Sequence, residues 1–110
     1  MATHRKPYYS TAALAHTQEA RAAIKAHDYV MLNALLAGGL NPNIPAADGS
    51  YLVHDAVNYD AGGTSLDILA HYHADMNVRW AGYLNWTPAH IAWFARRADV
   101  VEKLLQYGAD

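Results

Sequence analysis

The chain has 110 residues, enough for one small domain with a modest core. Hydrophobic residues make up 53% and charged residues 16%, which excludes a disordered chain. A net charge of −2 supplies no basic field for nucleic acid or anionic lipid, and the absence of cysteine excludes disulfides and thiolate metal sites.

At the N-terminus, MATHRKPYYSTAALAH is basic but has no apolar core of useful length, and no later run is long enough to span a bilayer. The expectation is a soluble, non-membrane, cytoplasmic protein, since a cysteine-free chain sits easily in a reducing compartment. The Ala-rich stretch YYSTAALAHTQEARAAIKAH predicts a helix, with Gln18, Glu19, Arg21 and Lys25 on its wet side. A second helix, AHDYVMLNALLAGG, ends at Gly39, where a left-handed residue closes the turn. After the loop NIPAADGS, YLVHDAV opens another helix, NYDAGGTS a turn, and a fourth helix runs to His73. The loop NVRWAGYLNW follows. Thr87 then reads as an N-cap with Pro88 at the first helical position, where its missing N–H is harmless. The last helix, ADVVEKLLQ, ends at Gly108.

Periodicity organises these elements. Gly39-Leu40-Asn41-Pro42-Asn43, His73-Ala74-Asp75-Met76-Asn77 and Gly108-Ala109-Asp110 align as three helix endings, spaced by 34 and then 35 residues. YLVH at His54 and TPAH at His90 repeat after 36. TPAHIAW followed by DVVEKLLQYGAD matches the pattern TPLHxAA then VVxxLLxxGADxN and so resembles the ankyrin repeat, with DGSYLVHDAV through HADMN as a looser copy. That resemblance implies an all-α ankyrin-repeat solenoid of about three stacked helix-turn-helix units with projecting β-hairpin-like loops. Residues 10–43 would be a degenerate capping repeat, 44–77 the second repeat and 78–110 the third. Relative to a 33-residue unit, one extra residue falls in NYDAGGTS and two in NVRWAGYLNW.

Within such a stack, His54 and His90 are expected to bond backbone in the neighbouring loop and hold units in register. Thr87, Pro88, Gly39 and Gly108 are structural positions, and His73, standing where glycine is usual, is expected to be strained. The concave face that binds partners would comprise the loop aromatics Trp80, Tyr83 and Trp86, with Asn58, Tyr59 and Asp60 on one first helix and Phe94, Arg96 and Arg97 on the next. Trp80 and Tyr83, near the loop tip, are expected to be exposed, and aromatic rings there make effective contact anchors. Trp93 replaces a small repeat residue, which suggests that the stack stops near residue 110.

Catalytic and metal readings find little support. The His71-Tyr72-His73 triplet lacks a third ligand, the serines lack His–acid partners, and Asp55, Asp60 and Asp67 read as solvated carboxylates. The expectation is a non-catalytic protein-interaction module, an inhibitor, immunity protein or adaptor, with no cofactor and no metal. It would be a monomer or weak homodimer that contacts neither nucleic acid nor membrane. The alternatives are a homo-oligomer joined through an open C-terminal face, or a fragment of a longer array.

Overall fold

Short helices need explicit starts and stops, and this chain carries them. The computed structural model describes residues 9–60 and 62–109; the basic start, Ala61 and Asp110 lie outside the described residues. Six helices follow in order: α1 (Thr11–Ala26), α2 (Tyr29–Ala37), α3 (Leu52–Tyr59), α4 (Thr64–His71), α5 (Pro88–Phe94) and α6 (Ala98–Gln106). Among the described residues the only extended pairing is an antiparallel bridge between Trp80 and Trp86. The fold is therefore all-α, and no helix among the described residues is long and apolar enough to cross a membrane.

Ser10 accepts from the Ala13 N–H at 3.0 Å to start α1, and Asp28 accepts from Met31 N–H at 3.1 Å to start α2. Thr87 forms a reciprocal capping box with His90, and Pro88 occupies the first turn of α5 as expected. Gly39 and Gly108 close their helices at φ 109° and 106°, whereas His73 reaches φ 65° without glycine's freedom. Four residues, 60–63, separate α3 from α4 and three, 95–97, separate α5 from α6, which places the extra residue where the spacing put it.

Each consecutive helix pair packs internally, α1 on α2, α3 on α4 and α5 on α6. The pairs also meet one another through α1 on α3, α3 on α5 and α2 on α4. One continuous core results, running from Ile24 and Leu32 through Leu52, Val53, Leu66 and Leu69 to Val100 and Leu104. Burying each Leu contributes about 1.5–3 kcal/mol relative to leaving it in water. Ala20, Ala23, Ala56 and Ala92 are all buried, small enough for neighbouring helices to approach closely.

Polar ties between pairs repeat with the sequence. His27 Nε2 to the Tyr59 carbonyl, Asp75 N–H to Asn43 Oδ1, Trp80 Nε1 to the Asp48 carbonyl and His54 Nε2 to the Trp86 carbonyl each span 32 residues; Asn77 Nδ2 to the Gly108 carbonyl spans 31. The first two helix pairs are thus tied by His27 and Asn43, and the last two by His54, Trp80 and Asn77.

Two expectations are corrected. Arg21 does not lie on the wet side of α1: its guanidinium turns inward, with Nε 2.8 Å from Asp55 Oδ2 and Nη2 3.3 Å from Asp48 Oδ2. The three carboxylates are not simply solvated either. Asp55 is buried against Arg21, Asp60 caps the turn into α4 by accepting from Ser65 N–H at 2.9 Å and Ser65 Oγ–H at 2.7 Å, and Asp67 accepts from Lys103 and Tyr107. Helix packing brings Arg21 to Asp55 and Lys103 and Tyr107 to Asp67 from positions far apart in the chain, whereas the Asp60 cap is local.

Burial pushes the Asp55 carboxyl up from 3.8 to about 6, because Arg21 only partly offsets the loss of solvent. A carboxyl raised in the folded state binds more protons there than in the unfolded chain, so its contribution to stability is present at low pH and is lost as pH rises to about 6. The expected outcome in urea titrations is a stability component that falls between about pH 4 and pH 6 and is absent from Asp55→Asn. Parallel slopes for the two proteins would refute it.

Candidate functional site: an aromatic groove between helix pairs

The loop from Asn77 to Trp86 turns back on itself because its tip adopts left-handed backbone. Leu84 and Asn85 have φ 59° and 57°, the Tyr83 and Asn85 N–H groups both donate to the Trp80 carbonyl, and Trp80 N–H donates to the Trp86 carbonyl at 3.0 Å. This closure stacks the aromatic residues on one another. Ring centroids lie 5.1 Å apart for Trp80 and Tyr83, 5.2 Å for Tyr83 and Trp86, and 5.4 Å for Trp86 and Phe94 of α5. Ring pairs at these separations contribute about 0.5–1.5 kcal/mol each beyond area burial.

Trp80 is the hinge of the arrangement, and its expected exposure is corrected. It is half-buried against the core, its indole N–H donates to the Asp48 carbonyl at 3.0 Å, and its ring sits 5.5 Å from that of His54. An indole with its polar edge bonded and its face packed has more to gain inside than at a loop tip. Trp86 is likewise half-buried, while Tyr83 remains 44% exposed.

Beneath this loop, His54 makes the bond that holds it. Nδ1 accepts from the Tyr51 N–H at 3.0 Å, which leaves Nε2–H to donate to the Trp86 carbonyl at 3.0 Å. Burial lowers the tendency of this imidazole to ionise, in keeping with a neutral ring. His90 reproduces only the local half: its Nδ1 accepts from Thr87 N–H at 3.1 Å, but the ring is exposed.

The result is a groove of about 390 Å³ lined by Asn58, Tyr59, Trp80, Tyr83, Trp86, Ile91, Phe94 and Ala95. Six of the nine residues expected at a partner surface are brought together there. Tyr59 at 47% and Phe94 at 73% exposure offer their rings to solvent within the same cleft as Tyr83. The other three are placed differently. Asp60, 4% exposed, is committed to Ser65 and lies 3.9 Å from His27, so its expected contact role is corrected. Arg97 donates to the Val57 carbonyl, tying α5's end to α3, and with the exposed Arg96 it lines a separate recess of about 490 Å³ beside Trp93, Ala98 and Val101.

Sequence reasoning missed Ile91 and Lys25. Ile91 stands where α3 has Asp55, and nothing in its one-dimensional position marks it as groove floor. Lys25 was read as a solvated helix residue, but its ammonium lies 5.0 Å from the Tyr59 ring centroid, a cation–π contact that only α1–α3 packing creates. Among the described residues no three His, Asp or Glu side chains converge as metal ligands. No protein-family model matches the chain, and no curated protein matches it.

Replacing His54 with Ala removes one of the two donors to the Trp86 carbonyl, leaves the Tyr51 N–H without its acceptor and empties a fully buried position, with an expected cost of about 1–3 kcal/mol. His90→Ala removes only an exposed cap contact, with an expected cost of about 1 kcal/mol or less. Denaturant midpoints for the two variants measure the contrast, and equal losses would refute the inter-pair role of His54.

Proposed function

We propose that the chain is an ankyrin-type stack of three helix pairs, 10–43, 44–77 and 78–110, that binds a protein partner through the aromatic groove and performs no chemistry itself. The stack reading is supported by the TPAHIAW and DVVEKLLQYGAD motifs together with cross-pair bonds whose partners lie 31 or 32 residues apart. The observation that carries the binding reading is the groove's composition. Three separate segments, from α3, the 77–86 loop and α5, meet in one cleft whose Tyr59, Tyr83 and Phe94 rings stay open to solvent. Rings held by mutual stacking lose little conformational entropy when a partner covers them.

A partner-blocking role, as inhibitor or immunity protein, and an adaptor role use the same rigid presentation. Neither requires a cofactor, and the reading places the protein in the cytoplasm. A self-associating module is the second reading, favoured by one observation: Trp93 on α5 is 77% and Leu105 on α6 54% exposed.

Affinity capture followed by identification of the bound protein tests the first reading. The double variant Tyr83→Ala/Phe94→Ala is expected to melt within a few degrees of wild type and to bind the captured protein about 30-fold more weakly or worse. Trp80→Ala is expected to lower stability by about 2–4 kcal/mol, since it empties a packed position. Undiminished capture by the double variant would sink the groove reading, and a mass that climbs with concentration, abolished by Trp93→Ala, would favour self-association.

A further inference from the structure

We infer that the groove accepts an acidic polypeptide segment carrying a large apolar anchor residue, an inference that rests on the groove reading above. From Val78 to Arg97 the chain contains three arginines and no aspartate or glutamate, although its net charge is −2. The loop that builds much of the groove and the turn after α5 are therefore cationic within a protein that is otherwise acidic.

None of these charges is neutralised internally. Among the described residues the ion pairs join Arg21 to Asp48 and Asp55, His27 to Asp60, and Lys103 to Asp67. Arg79 instead donates to the Asn85 carbonyl at 3.3 Å and Arg97 to the Val57 carbonyl, both uncharged acceptors. Arg96 is exposed next to Ala95 of the groove, and Lys25 rests on the ring of Tyr59. The acids nearest the groove are already engaged: Asp48 by Ser50 and Arg21, Asp55 by Arg21, and Asp60 by Ser65. The aromatic surface of the cleft thus adjoins Lys25 at the Tyr59 ring, with Arg79 and Arg96 next in sequence to the groove residues Trp80 and Ala95. Carboxylates on either side of an apolar anchor complement both features and speed association.

The ring geometry selects a polypeptide over a nucleic-acid strand. Successive bases need open, roughly parallel faces on which to stack. Here neighbouring rings are inclined to one another by 34°, 86° and 58°, each covering part of the next, so the cleft presents edges and one pocket in place of a stacking platform.

A displayed library of random peptides about twelve residues long, selected on the immobilised full chain, tests this. Selected peptides are expected to be rich in Asp and Glu around an aromatic or large aliphatic residue. Resynthesised with a fluorophore, they should bind at least about tenfold more weakly to Arg79→Glu/Arg96→Glu, and more weakly at about 200 mM than 50 mM salt. Selected peptides that need Tyr83 and Phe94 but are neutral or basic, or that ignore the charge reversal, would overturn the acidic-ligand inference and leave the groove standing. No enrichment, or binding unaffected by Tyr83→Ala/Phe94→Ala, would overturn the groove reading and this inference with it. Displacement of a selected peptide by a labelled oligothymidine of about twelve nucleotides would reassign the cleft to single strands.

Discussion

Helix α3 is buried along six consecutive residues, Leu52 to Val57, between α1 on one flank and α5 on the other. A helix enclosed in this way cannot leave a polar group without a partner, because an unpaired buried donor or charge costs more than the surrounding apolar contacts return. Its two buried polar side chains, His54 and Asp55, therefore dictate what stands beside it. Asp55 draws Arg21 inward from α1, and His54 reaches across to the Trp86 carbonyl. The first contact fixes the N-terminal helix pair, and the second fixes the loop that carries the aromatic residues.

The groove follows from the second contact. Once the Trp86 carbonyl is held, the bridge to Trp80 closes the loop, the Trp80 indole docks on the Asp48 carbonyl, and Tyr83 is left stacked between two tryptophans. Tyr59 and Phe94 join the same cleft because α3 and α5 pack side by side. A buried histidine thus sets the position of a surface it never reaches. The first and last helix pairs also differ: α1 is a 16-residue helix with a capped start, whereas α5 and α6 leave Trp93 and Leu105 exposed.

Much of this architecture was legible from local patterns. Helix starts at Thr87-Pro88, endings at Gly39 and Gly108, and the lengths of the 60–63 and 77–86 connections depend on neighbouring residues in the chain, which is where one-dimensional spacing carries information. The aromatic loop could be singled out because three large rings in ten residues are too many for an ordinary connection. The roles of Arg21, Asp60 and Lys25 could not be read in the same way. Their partners, Asp55, Ser65 and the Tyr59 ring, differ from those of the equivalent positions elsewhere in the repeat, so periodicity gives them no signal.

The amino-acid sequence by itself determined the helical class, the repeating spacing, the helix boundaries and the concentration of rings and arginines between Val78 and Arg97. Only the tertiary structure decided which of those groups face solvent. Trp80 turned inward and Tyr83 outward, Arg21 was drawn in to Asp55, and Lys25 was carried from α1 to the edge of the groove. The physical reason is that helix propensity and capping act within a few residues, whereas burial and charge pairing are settled between segments about 30 to 40 residues apart that meet only after the helices have packed.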